Sequence, residues 1–225
     1  MRSKPVIAMD GPSGVGKTTV ARRIAEALKY VLVDTGALYR TLALVAFREG
    51  IDWENAAGVA ELAGRHRFDY RDDGHLYLDG ERVGDEIRAP RISMGASAVA
   101  KHPEVREALL GIQRAMGADG GVVLEGRDVG TAVFPDAEVK IFLTASNEER
   151  AKRRFLELEK KDEKVTFEEV LEDQERRDDA DRNRKAAPLS KASDAVLIEC
   201  DSMTVDEVVE ACLREIQSSF PLTSI

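Results

Sequence analysis

The sequence predicts an α/β protein: a five-stranded parallel sheet flanked by helices, with an inserted antiparallel β/helical lobe and a helical lid. Three observations carry this. Five short apolar runs recur along the chain with helical patterns between them, the alternation of a parallel sheet. The first run leads into a glycine-rich turn that opens a helix. A stretch of hairpin character then interrupts the alternation between about residues 65 and 89. The 225 residues suit one such domain with insertions.

In chain order, the apolar runs at 6–10 and 30–34 are predicted as the first two strands, with a helix over 20–28 between them. Asp34-Thr35-Gly36-Ala37-Leu38-Tyr39-Arg40 follows the second strand, and a helix is expected over 37–47. Phe68-Asp69-Tyr70, a turn at Asp72-Asp73-Gly74, His75-Leu76-Tyr77-Leu78 and a turn at Asp79-Gly80 read as antiparallel strands. Helices are expected over 92–100 and 103–116, the second opening with proline in its first turn. Strands three to five are expected at 122–125, 139–144 and 195–200. Ser146 with Glu149, and Thr166 with Glu169, make two capping boxes. They predict a helix over 147–160 and another running to the arginine-rich segment 176–184. A polar, mobile turn at Lys161-Asp162-Glu163-Lys164 joins the pair, as in a lid. Thr204 caps a final helix over 205–220, and a frayed tail is expected at 221–225.

Composition narrows the function classes. Hydrophobic residues make up 43%, charged residues 33%, and the net charge is −9. An acidic balance argues against a nucleic-acid polymer as partner. No apolar run approaches the ~20 residues of a membrane helix. Met1-Arg2-Ser3-Lys4-Pro5 leads straight into the first strand, so no signal peptide is expected. Cys200 and Cys212 read as buried thiols of a cytoplasmic protein, not as a disulfide or a metal site. His66, His75 and His102 have no metal-ligand spacing. No obvious apolar surface helix is present, which predicts a monomer. Asparagine occurs only at 55, 147 and 183 and glutamine only at 113, 174 and 217, a compositional hint of a thermophile.

The chemistry concentrates where strands end. Gly11-Pro12-Ser13-Gly14-Val15-Gly16-Lys17-Thr18 sits between strand and helix, as a phosphate-binding loop does. Its backbone N–H groups and the helix N-terminus attract anions. Lys17 can reach β- and γ-phosphates, and the Thr18 hydroxyl can ligate Mg²⁺. The candidate ATP-binding residues are Gly11, Pro12, Ser13, Gly14, Val15, Gly16, Lys17, Thr18 and Thr19. Asp10, Asp34 and Glu125 each end a strand, so any of them can share the metal through water. Tyr39 is open to two readings, a half-buried core aromatic or a ligand residue. Arg127 and Asp128 are neighbours, so a mutual salt bridge is the bland alternative to a ligand role. Arginines between 150 and 184 suit a lid that closes over a phosphorylated ligand, excludes water and neutralises a transferred phosphoryl group.

With these segments in view, the chain closely resembles the bacterial cytidylate kinases, a family of nucleoside monophosphate kinases. The resemblance is carried by 9–18, by 34–40, by Glu125-Gly126-Arg127-Asp128-Val129-Gly130-Thr131, by Phe134-Pro135-Asp136-Ala137 and by Arg177-Asp178-Asp179-Ala180-Asp181-Arg182-Asn183-Arg184. It covers nearly the whole chain. It implies a P-loop kinase core over 1–36, 118–148 and 186–225, a monophosphate-binding region over 37–117, and a lid over 149–185. It also implies transfer of the γ-phosphoryl group of ATP to CMP or dCMP with Mg²⁺. By position, Lys17, Arg127 and Arg184 are the implied catalytic residues. Arg40, Arg127 and Arg184 would hold the acceptor α-phosphate, with Thr35 and Tyr39 beside it. Ser97, Arg106 and Asp128 would read cytosine, and Arg177 and Asp181 would meet the sugar. Two departures stand out: Glu125 replaces an aspartate common in the family, and Ala180 stands where some members carry another lid arginine. The competing readings are a small kinase with another acceptor and a nucleotide-gated switch. The switch lacks its base-reading asparagine-lysine-x-aspartate motif here.

Overall fold

The computed structural model describes residues 2–71, 73–160 and 163–220. Asp72 of the first hairpin turn, Lys161 and Asp162 of the turn between the lid helices, and the tail 221–225 lie outside the described residues. The five predicted core strands form β1 (Val6–Asp10), β2 (Val31–Asp34), β6 (Val122–Gly126), β7 (Val139–Thr144) and β8 (Val196–Glu199). All pair in parallel, in the order β2-β6-β1-β7-β8. β1 is central because it is buried on both faces, with every residue buried. Ile7 and Met9 pack with Ile24, Ile141 and Ile216 on one side, while Val6 and Ala8 pack with Val33, Leu124 and Phe134 on the other. That is the two-residue period of a strand. Helices α1 (Lys17–Leu28) and α8 (Val205–Ser219) cover the first face.

α2 (Thr35–Arg48) starts two residues earlier than the sequence predicts. The cause is Asp34, whose Oδ1 accepts the Ala37 N–H at 2.9 Å and so acts as N-cap. Thr35 and Gly36 are therefore helical, and Tyr39 and Arg40 fall in the second turn, not the first.

The insert contains α3 (Ala56–Arg65), a three-stranded antiparallel sheet of β3 (Phe68–Tyr70), β4 (Leu76–Leu78) and β5 (Glu81–Arg82), then α4 (Pro90–Val99) and α5 (Pro103–Gly117). Asp79 and Gly80 both have positive φ, the geometry of a tight hairpin between β4 and β5. Helix α3 is not among the predicted elements. Gly58 and Gly64 lower its helix propensity, but Asn55 caps it and Val59, Leu62 and Ala63 are buried. The insert shares a core with α2, in which Leu38 and Leu42 of α2 and Leu62 and Leu109 of the insert are all fully buried. At roughly 1.5–3 kcal/mol per buried aliphatic side chain, such a cluster holds the insert's elements together. The lid pair, α6 (Asn147–Glu159) and α7 (Phe167–Asn183), shares a small core of Ala151, Leu158 and Val170.

Candidate active site

The cradle forms where β1 turns into α1. Gly11 has φ +151°, and a Cβ there would lie 2.2 Å from the Leu143 carbonyl oxygen, so only glycine fits. Gly16 is the N-cap of α1, left-handed and without a side-chain cap bond. The first-turn amides of α1 are thus left to a ligand. Lys17 lies over the loop, its Nζ donating to the carbonyl oxygens of Gly11 at 2.8 Å and Pro12 at 2.7 Å. Burial, together with the Arg127 charge, pushes its ammonium pKa down to about 7. Thr18 Oγ1 donates to Glu125 Oε1. Thr19 is exposed on α1.

The three candidate carboxylates separate by environment. Asp10 accepts the N–H groups of Val129 at 2.8 Å and Gly130 at 2.7 Å, one on each oxygen. Burial pushes its pKa up to about 6 despite those bonds. It thereby fixes the turn Val129–Val133, a single π-helical turn after β6. Asp34 is likewise committed, to the α2 N-terminus and, at 2.7 Å, to Arg40 Nη2. Glu125 is the one that meets Thr18. Burial and the neighbouring Asp34 raise its pKa.

Opposite the cradle runs a chain of ion pairs drawn from three distant segments. Arg106 Nη2 donates to Asp128 Oδ2, and Arg184 Nη2 to Asp128 Oδ1 at 3.1 Å. Arg184 Nη1 lies 3.8 Å from Asp181 Oδ1, and Arg127 Nε donates to Asp181 Oδ2 at 2.7 Å. Arg127 and Asp128 therefore take different partners instead of pairing with each other. Arg106 also lies 5.6 Å over the Tyr39 ring, so Tyr39, half-buried against the insert core, is also a neighbour of the cluster. The Arg106 Nη1 atom is buried and has no hydrogen-bond partner among the described residues. Thr35 Oγ1 donates to the Glu125 carbonyl at 2.8 Å, locking the start of α2 to the end of β6. Arg177 pairs with Asp173 at 2.9 Å within α7. Among the described residues the Ser97 hydroxyl bonds only to the Ser93 carbonyl within α4, so it is not tied to the Arg106–Asp128 pair.

Three residues at the cradle have no individual role in the sequence reading, which names Arg150 only among the lid arginines: Arg150, Gln174 and Asp178. All hydrogen-bond to the backbone of Ser13 from the lid helices. Their sequence signal is weak, since an arginine and an aspartate on two helices of a charged lid are easily read as solvated. Burial of both, at 1% and 0% exposure, is what the sequence does not display. Chemically, the site offers an anion cradle with a lysine and a hydroxyl, and guanidinium groups converging beside it.

A family model described as cytidylate kinase matches residues 7–218. A cytidylate kinase from Syntrophotalea carbinolica is 48% identical over 217 residues, covering 95% of this chain and 92% of its own. One from Pelotomaculum thermopropionicum is 46% identical over 222 residues, covering 97% and 98%. A crystal structure of an uncharacterized protein from Eubacterium ventriosum shares the fold, with TM-score 0.52 at 15% identity and 96% and 99% coverage.

Proposed function

The chain belongs to the cytidylate kinase family, and on that premise we propose how its residues carry the family's reaction. The enzyme transfers the γ-phosphoryl group of ATP to CMP or dCMP, giving ADP and CDP or dCDP. The observation that supports the site assignment is geometric: within one turn of α7, Asp178 accepts the Ser13 N–H of the loop and Asp181 accepts Arg127, which puts the guanidinium cluster beside the cradle.

In this reading the loop 11–18, with Thr19, holds ATP, and Lys17 contacts the β- and γ-phosphates. Arg40, Arg127 and Arg184 hold the acceptor α-phosphate. Each has a resident carboxylate partner that a phosphate oxygen can replace, so the guanidiniums are never left bare. Arg106, with a free buried Nη1, donates to the acceptor atoms of cytosine, and Asp128 accepts its amino group. Ser97 reaches the base after a rotamer change. Arg177 and Asp181 face the sugar, and Thr35 and Tyr39 shape the floor. An α-phosphate oxygen of CMP attacks in line while Lys17, Arg127 and Arg184 offset the spreading charge. Thr18 and Glu125 are an oxygen-only pair suited to Mg²⁺, which is commonly bound by few carboxylates plus substrate phosphates. When bound, Mg²⁺ neutralises charge on the donor phosphates.

We assign the core to 1–36, 118–148 and 186–225, the acceptor region to 37–117 and the lid to 149–185. Among the described residues no helix is long and apolar enough to cross a membrane. The buried free thiols of Cys200 and Cys212 support a cytoplasmic enzyme, and we take it as a monomer.

An ADP-release assay with CMP, dCMP, UMP and AMP tests the substrate. Preference for UMP or AMP would overturn the cytosine reading. Arg127→Met tests the clamp: kcat/KM for CMP should fall on the order of 10²–10³-fold. Its unfolding temperature should barely change, because the Arg127–Asp181 pair is partly exposed.

A further inference from the structure

The backbone of Ser13 is held by the lid on both sides of its Cα. Its N–H donates to Asp178 Oδ1 at 3.3 Å. Its carbonyl oxygen accepts Arg150 Nη1 at 2.7 Å and Gln174 Nε2 at 3.1 Å. Ser13 is thus a cradle residue whose backbone polar groups are spent on α6 and α7. The neighbouring Gly14 has φ +73°, and a Cβ there would lie 2.9 Å from Gln174 Nε2, so the lid sits close on the loop's crest.

The holding groups are themselves fixed. Arg150 is 1% exposed and Asp178 0%. Arg150 Nε donates to the Ala145 carbonyl at 3.1 Å, and Nη2 reaches both Asn147 Oδ1 and, at 2.6 Å, Asp178 Oδ2. A buried ion pair is an expensive way to join two helices, since apolar side chains of similar volume do so at least as well. What an apolar pair cannot do is bind both backbone polar groups of one loop residue.

One turn further along α7, on the same face, is Asp181, which accepts Arg127 of the acceptor clamp at 2.7 Å. A single turn of α7 therefore touches the donor cradle through Asp178 and the acceptor clamp through Asp181. We propose that Arg150, Gln174 and Asp178 are positioning residues that set the backbone conformation at Ser13 and, through α7, couple donor binding to acceptor binding. A phosphate that shifts the Ser13 backbone must shift the helix that presents Asp181 and Arg184, and the reverse holds by linkage. This rests on reading loop 11–18 as the donor cradle.

The test is a pair of titrations by calorimetry on the full chain. CMP affinity is measured alone and with the saturating Mg²⁺ complex of the β,γ-imido analogue of ATP, and the ratio is the coupling factor. The wild type should show a ratio different from one. In Gln174→Met and in Asp178→Asn the ratio should move toward one by about fivefold, with CMP affinity alone within about twofold of wild type. A purely structural role would lower the unfolding temperature and leave the ratio unmoved. An unchanged ratio in either folded variant, or a ratio of one in the wild type, overturns the proposal. Should Asp178→Asn fail to fold by uncovering Arg150, Gln174→Met decides, because it keeps volume and strands no charge. A wild type that binds no CMP would instead overturn the acceptor assignment.

Discussion

Lys17 is a cation whose hydrogen-bond partners are two carbonyl oxygens, not a carboxylate. Burial leaves its pKa near 7, so much of it is neutral above that pH. A bound triphosphate brings negative charge and raises the pKa again, which means that the bound state holds the proton more tightly than the free state. Donor affinity should therefore be greatest below pH 7 and weaken as pH rises through it, by up to about tenfold per pH unit. Calorimetry of ATP binding at pH 8, in two buffers of different ionisation enthalpy, should report uptake of about one proton. Lys17→Met should abolish the uptake, and none in the wild type would contradict the assignment. At this scale the sequence told which residue types meet at the sheet edge, because strand ends in a parallel sheet share that edge. It left open which carboxylate meets Thr18. That choice follows from the β2-β6-β1 strand order and from backbone amides and an N-cap claiming Asp10 and Asp34.

Elements were legible where local rules set them. α7 begins where its capping box says, with Thr166 accepting the Glu169 N–H and Glu169 Oε2 accepting the Thr166 N–H. Thr166→Ala should cost about 1 kcal/mol of that helix end. Because this end lies at the edge of the lid, the loss should appear locally, as amide exchange about fivefold faster over 167–172, with global unfolding nearly unchanged. Hydrogen exchange by mass spectrometry checks it, and unaltered protection there would show that tertiary packing and not the cap limits opening. Elements were hidden where tertiary contacts override local preference. The start of α2 depends on Asp34 turning inward to cap it, and α3 is stabilised by packing on α5 in spite of its glycines. The same limit concealed the lid's grip on Ser13, since Gln174 and Asp178 read as two polar residues of a charged helix until burial is known.

Across the whole molecule, separate hydrophobic cores back the proposed donor and acceptor sites. The sheet core packs β1 and α1 and so shapes loop 11–18. The insert core packs α2, α3, α4 and α5, and α5 carries Arg106 one turn before the fully buried Leu109. The helix that local sequence signals conceal is thus the one that backs the arginine proposed to read the base. Leu62→Ala in α3 should remove about 2–5 kcal/mol of stability through the cavity it leaves. It should also raise KM for CMP several-fold while KM for ATP stays within about twofold, because a cavity in one packed cluster disturbs its own neighbours first. Steady-state kinetics with each substrate varied in turn make the comparison. An equal rise in both KM values would mean that the two cores respond as one body. In that case Arg106 would be positioned by the rigidity of the entire fold instead of by the insert.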